Sequence, residues 1–354
     1  TKSGESLKLP ASIASEFARL VVVESEISVT GGVRAQWLEA QLSPFLRKLR
    51  EYVEYACALG GAVFKPYVSG GSVMIDTVQA DCFFPTAFDT SGRLTGAVFM
   101  EQIVRGNRIF TRAESHEFVK DHEIIRNRAF SSSTNAALGE EISLSSVPEW
   151  AQISPELTIH DIDRPLFAYF RIPLANNKER HSPLGVSVFA NAVQSIRDAD
   201  EQYSRLLWEY DGGQKVEFQC SLAFGTFSDP SSVEKTATEM KISKQRSFSA
   251  VSDIQKSLEG ALDDLLYGID KLASLYQLAP AGTYKTSYRW HDSVLQDEET
   301  QRLLDREDAL SGFIPKWQYN AKWRAMSDEE AQAAVQEASD ETAGAQSLTF
   351  GGDA

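Results

Sequence analysis

Apolar residues at Ile13, Phe17, Leu20 and Val21 recur at helical spacing across Ala11–Val23, after Pro10, and predict a short amphipathic helix. From Val33 to Leu59 the same period continues through Trp37, Leu38, Leu42, Phe45, Leu46, Leu49, Val53 and Ala56. Ser43 followed by Pro44 reads as an N-cap and first helical residue, so two helices are expected to meet at Ser43 and end at Gly60-Gly61. The period then changes to two. Ala62–Val68 and Ser72–Val78 read as strands joined by Ser69, Gly70 and Gly71, a hairpin signal. Further strands are expected at Leu94–Val104, Asn107–Arg112 and His116–Asn127, which makes this block an antiparallel sheet packed on helices and the fold class α+β.

Ser131–Ser154, rich in Ser, Ala, Glu and Pro, reads as a surface connection, and Leu166–Ile172 as one more strand. Ser182 with Pro183 starts an expected helix to Tyr210, striped by Val186, Phe189, Val193, Ile196, Tyr203 and Leu207. Lys215–Ala223 fits another helical piece, ended by GTFSDPSS at Gly225–Ser232. Val233–Leu278 carries no proline, and Val251, Ile254, Leu258, Leu262, Leu265, Ile269, Leu272 and Tyr276 advance by threes and fours. A helix of up to about 70 Å follows from a rise of 1.5 Å per residue, with a polar first half expected to face water or a partner. Tyr284–Trp290 is expected as a strand, Gln296–Leu310 and Asp328–Ala338 as helices, the last with the capping-box pair Ser327 and Glu330. The small polar tail from Thr342 is expected to be disordered.

Composition narrows the classes of function. The chain has 354 residues, 42% apolar and 24% charged, enough for two or three cores. Its net charge of -15 opposes any grip on nucleic acid through charge alone. Fourteen acidic residues against five basic ones lie between Asp292 and Ala354. Cys57, Cys82 and Cys220 form no C-x-x-C pair and have no His at ligand spacing, so they read as buried small residues or inert thiols. No apolar run is long enough to span a bilayer, and TKSGESLKLP reads as neither a signal nor a transit peptide.

Acid, base and metal-ligating residues gather once, at Glu114, His116, Glu117, Asp121, His122 and Glu123. HEFVKDH is not H-E-x-x-H, and on an alternating strand the group is expected on the solvent side of a sheet edge. A metal-dependent hydrolase using His116 and His122 is the alternative this cluster leaves open. His160, His181 and His291 stand alone, so a triad has no anchor, and Gly60-Gly61 and Gly70-Gly71 are turn glycines without a nucleotide-binding motif. Lys235, Lys241, Lys244 and Arg246 form a basic patch that reads first as a solvated helix face. Trp317, Tyr319 and Trp323 read as an apolar stripe docking the final helices.

CALGGAVFKPYVSGGSVMIDTVQADCFFPTAFDTSGRLTGAVF, Cys57–Phe99, resembles portal proteins of long-tailed bacteriophages, in the branch described as portal or minor capsid proteins. RPLFAYFRIPLANNKERHSPLGVSVFANA (Arg164–Ala192), VEKTATEM (Val233–Met240) and WHDSVLQDEET (Trp290–Thr300) resemble later stretches of that family in the same order. The resemblance implies a ring, usually a dodecamer, at one capsid vertex, through which double-stranded DNA is packaged, retained and ejected. It implies a wing of helices and strands (1–172), stem helices (173–224), a tunnel loop (225–234), a long wing helix and strand (235–290) and a helical crown (291–354). The implied partners are further copies of the chain, major capsid protein, scaffolding protein, terminase and head-tail adaptor, with the virion and the host cytoplasm as its locations. It implies no cofactor, metal or catalysis, and any ATP hydrolysis would belong to the terminase. Phe227, Ser228, Asp229, Lys235, Lys241 and Lys244 are the implied channel residues. One departure is plain: the family has a clip of many tens of residues between its stem helices, where this chain has Tyr210–Gln214. An acidic wall with few lysines suits such a channel, because each phosphate neutralised by Lys or Arg adds affinity that would stall passing DNA. A scaffold or adaptor without a pore is the remaining alternative.

Overall fold

Three stacked layers make up the first part of the chain: helices, a small sheet and a large sheet. The computed structural model describes residues 6–134, 137–213, 237–290, 298–324 and 326–337, with the backbone alone at 211–213, 237–248 and 298–301. The chain divides into two units, Thr1–Trp290 and His291–Ala354.

Helix α1 (Leu9–Val22), strand β1 (Ser25–Gly31) and helices α2 (Val33–Leu46) and α3 (Leu49–Leu59) open the first unit. The expected junction at Ser43 lies instead at Arg47–Lys48, with Pro44 inside α2. Pro44 forfeits one amide bond near the helix end, yet Ala35, Leu38, Leu42 and Phe45 are all buried, and the Arg47 amide donates to the Ser43 carbonyl at 3.3 Å. Burial of one stripe therefore carries the helix past its proline. Gly60 ends α3 at φ 97°, a left-handed cap with its amide on the Ala56 carbonyl at 2.7 Å.

The small sheet runs β10 (Ala168–Arg171), β2 (Gly61–Ser69), β3 (Ser72–Gln79), all antiparallel, and the β2–β3 turn takes positive φ at Gly70 and Gly71 as expected. Period two sorts its faces. Phe64 meets Phe45 edge-on at 4.9 Å and stacks with Phe170 at 6.1 Å on the helical side, while Val63 joins Phe83, Leu94, Ala97, Phe99 and Phe167 on the other.

The large sheet is β4 (Phe83–Phe88), β5 (Leu94–Arg105), β6 (Arg108–Val119), β7 (His122–Ser132) and β8 (Glu140–Ile142), with β9 (Glu156–His160) also paired to β7. The single strand expected over His116–Asn127 is two strands, turning at Lys120 and Asp121 with Lys120 at φ 59°. No glycine marks that turn, which explains why the pattern alone misses it. Ser131–Ser154 is likewise not a surface connection. Leu144, Val147 and Trp150 bury against Ala129, because the chain folds back over the sheet.

Helix α5 (Ala237–Leu275), 39 residues and about 58 Å long, closes the helical layer. Val251, Ile254, Leu258, Leu262, Leu265, Ile269 and Leu272 are buried at the expected steps, but Tyr276, the last expected member, lies past the helix end and is half exposed; the side chains of the first turns lie outside the described residues. Arg34, 2% exposed, holds its C-terminal end: Nε donates to Asp270 Oδ1 at 2.7 Å, Nη2 to Ser274 Oγ at 2.8 Å and Nη1 to the Ala279 carbonyl at 3.1 Å. A rigid fork of five donors suits a site that must satisfy several carbonyls at once. Strand β11 (Tyr284–Trp290) then pairs with β1, Ser25 opposite Trp290 and Gly31 opposite Tyr284.

The expected helix from Ser182 begins only at Val193, as α4 (Val193–Gly213). Residues before it run extended against the end of α3: the Val188 amide reaches the Cys57 carbonyl at 2.9 Å and the Gly185 amide the Tyr169 hydroxyl at 3.2 Å. The stripe Val186–Phe189 is apolar because this segment packs, not because it coils. Expectations for Lys215–Ala223, Gly225–Ser232 and the tail from Thr342 fall outside the described residues. Cys57 is buried, which pushes its thiol up to about 12, whereas Cys82 is exposed; Cys220 lies outside the described residues.

The second unit holds α6 (Glu298–Ser311), α7 (Lys316–Arg324) and α8 (328–337). Asp305 ties α7 to α6 by accepting from Lys322 Nζ at 2.6 Å and Trp323 Nε1 at 2.8 Å, so the aromatic stripe docks through a polar anchor. The capping box forms, with Ser327 N on Glu330 Oε2 at 3.0 Å and Glu330 N on Ser327 Oγ at 3.3 Å. No described helix is long and apolar enough to cross a membrane.

Candidate functional site

Of the residues implied as channel-lining, Phe227, Ser228, Asp229 and Lys235 lie outside the described residues, and Lys241 and Lys244 sit on α5 where the backbone alone is described. The described chemistry gathers elsewhere, between the two sheets.

Antiparallel pairing places Glu114 opposite Asn127, His116 opposite Ile125 and Glu123 opposite Phe118, so all these side chains share the inner face of the large sheet. His116 is 5% exposed and Glu123 fully buried. The expectation of a solvent-facing edge is thereby corrected: the face is covered by the small sheet and by Leu166–Ala168. His116 Nδ1 lies 2.6 Å from Glu123 Oε1 and Nε2 lies 2.8 Å from Glu114 Oε1. Glu123 Oε2 accepts the Leu166 amide at 2.9 Å. Glu114 Oε2 in turn accepts from Lys65 Nζ at 2.9 Å and Arg112 Nη1 at 2.8 Å, and Arg112 also reaches Asn127 Oδ1 at 2.8 Å. The rings of Phe99 and Phe167 stand edge-on to the imidazole at 5.2 and 5.6 Å.

Burial by itself would depress the His116 pKa, but hydrogen bonds to Glu114 and Glu123 and their charges outweigh it and raise the pKa above its ordinary value. Burial would raise Glu114, yet the His116 hydrogen bond and the charges of His116, Lys65 and Arg112 hold its carboxyl well below the usual range. The arrangement is thus an ionic chain crossing from one sheet to the other, Lys65 from β2, Glu114 and His116 from β6, Glu123 from β7. Both imidazole nitrogens are engaged and sheltered. Its chemistry is to orient and hold, with no nitrogen of His116 left to take a proton from a substrate.

His122 belongs to another surface. It pairs with Val119 and therefore lies on the face opposite His116, where its ring is 5.6 Å from that of His160 and Nδ1 is 3.1 Å from Asp121 Oδ1. The two histidines are not brought together, and among the described residues no group of three or more His, Cys, Asp or Glu side chains is placed to hold a metal ion.

Lys65 and Arg112 are members of the network that the sequence pattern does not mark. The available signal for Lys65 was a lone cation within AVFKPYV, an otherwise apolar strand. Beside the network lies a groove of about 690 Å³, bordered by Lys65, Asp76, Glu101, Arg112 and Trp150, where the buried Trp150 Nε1 has no partner among the described residues. Neither the family models nor the curated proteins searched contain a match to this chain.

Proposed function

We propose that the chain is the subunit of a portal ring of a long-tailed, double-stranded DNA bacteriophage, a conduit for genome packaging, retention and ejection. The reading is carried by one observation: four stretches resembling that family occur in its order from Cys57 to Thr300. Further support comes from surfaces suited to burial between copies. On α4, Leu206, Trp208 and Tyr210 are 56%, 77% and 73% exposed, and in the second unit Leu303, Leu310 and Phe313 are exposed too. Large side chains left in water at this density favour assembly. In this proposal the wing is the sheet-rich unit, α5 the long wing helix and the second unit the crown, with terminase, adaptor, scaffolding and capsid proteins as partners. The network around His116 then serves as an internal brace.

Negative-stain imaging of the purified chain at high concentration is the test. Closed rings, expected to be dodecamers, with a central hole support the proposal; uniform monomers overturn it, and open or pore-less assemblies favour a scaffold or adaptor. A finer test addresses the channel. Reversing charge at Lys235 and Lys241 is expected to reduce DNA packaged or retained per particle, and unchanged packaging removes these residues from the channel wall.

A further inference from the structure

A second cavity, of about 210 Å³, lies where β10 and the turn before β5 meet α5, lined in part by Arg93, Tyr169, Arg171, Ser257, Gly260 and Asp264. Its chemistry is cationic in a chain of net charge -15. Arg171 Nε is buried without a hydrogen-bond partner, and its guanidinium has no ion pair among the described residues. Nε is itself too enclosed to meet a ligand; what the cavity offers an anion is the charge of a guanidinium that no carboxylate among the described residues offsets.

The neighbours are already committed in a way that leaves donors over. Ser257 Oγ donates to the Arg171 carbonyl at 2.5 Å, which fixes that backbone against α5. Tyr169 Oη accepts the Gly185 amide, so its proton remains to donate. Asp264 Oδ1 accepts from Arg164 Nη1 at 3.0 Å and lies 3.8 Å from Arg93 Nη1. Exposed Asp163 stands 3.7 Å from Arg164. Within the lining, two arginines, Arg93 and Arg171, thus stand against one carboxylate, Asp264. The volume is below the roughly 300 Å³ at which pockets for larger ligands begin, and at about 30 Å³ per water it suits a single tetrahedral anion with a few waters. Arginine's planar fork binds such oxygens in pairs.

We propose that this cavity binds a hydrogen phosphate ion, with Arg171 and Arg93 meeting its charge, the Tyr169 hydroxyl donating to an oxygen, and Asp264 accepting the ion's own proton. Asp264 sets the selectivity, since sulfate at neutral pH has no proton to offer and would face the carboxylate directly.

The test is calorimetric titration of the full chain with inorganic phosphate, at constant ionic strength in chloride and at pH 7, alongside thermal unfolding. Wild type is expected to show saturable binding with a matching rise in Tm, and sulfate to bind at least tenfold more weakly. Arg171→Met is expected to weaken phosphate binding at least tenfold. Gly260→Leu is a second variant that keeps α5, because nothing lies within 4 Å of a Cβ added there, and its side chain is expected to block the cavity. A wild-type chain without a saturable response to phosphate overturns the proposal. So does sulfate binding as tightly, or wild-type affinity in both variants.

Discussion

Gly185→Ala is expected to cost about 3 kcal/mol or more, at or beyond the upper end of ordinary overpacking. An added Cβ at Gly185 would stand 2.1 Å from the Gly60 carbonyl oxygen and 2.9 Å from that of Ile172. Both obstacles are backbone. Gly60 cannot yield, since it holds φ 97° to cap α3 and its carbonyl accepts the Ile172 amide at 3.0 Å. Urea or thermal unfolding reads the loss, at under about 2 °C of Tm per kcal/mol for the unit Thr1–Trp290. A cost under about 1 kcal/mol would show that Gly185 does not lie against Gly60. Gly260→Ala is the matched control: open space surrounds its Cβ, and exchanging glycine for alanine within a helix is worth up to about 1 kcal/mol of added stability.

Glu123→Ala is expected to be as damaging, about 3–5 kcal/mol, the range for breaking a buried ion pair from one side. It strips the Leu166 amide of its acceptor and leaves His116 with Glu114 alone. The pH dependence has a definite sign. His116 has a raised pKa in the folded chain, so its contribution is complete below its ordinary value of 6.5 and is lost as pH rises through the folded value. Glu114 has a lowered one, so its contribution is complete above its ordinary value of 4.5 and is lost as pH falls through the folded value. Between pH 4.5 and 6.5 both are present. The groups facing His116 are Glu114, Glu123, Lys65 and Arg112 with its partner Glu101, together with the Phe99 and Phe167 rings. Against His116→Phe, the wild-type advantage measured by urea unfolding is expected to shrink as pH rises above 6.5. An advantage that is flat or grows toward alkaline pH would contradict the raised His116 pKa.

The same network shows why the elements were more legible than the site. Where one period runs unbroken, as in α5 and β11, the pattern locates the element, and in α5 also its buried stripe from Val251 to Leu272. His116 to Glu123 is harder. Read as one strand, His116 and His122 share a face and Glu123 takes the other. The turn at Lys120–Asp121 exchanges them: Glu123 comes under His116 and His122 goes to the far side. One tight turn without glycine thus converts a candidate metal pair into a brace. The stretch from Ser182 failed for a different reason, because the approach of Gly185 to Gly60 is a contact across the sequence that no local period encodes. Trp150 was lost among polar neighbours for the same cause.

The ribbon of β1 and β11 has a mechanical consequence. Ser25 and Trp290 sit side by side at one end of it, and the chain leaves that end in both directions, back to α1 and onward to the second unit. Tension applied between those two would load the ribbon from its open end and part it pair by pair, as a zipper, with no shearing of all its hydrogen bonds at once. The first tether to release would be Trp290 Nε1 on Glu259, followed by Tyr288 and Thr286, which share Asp263. Under load, the ribbon is expected to yield in steps, one pair after another from the Ser25–Trp290 end.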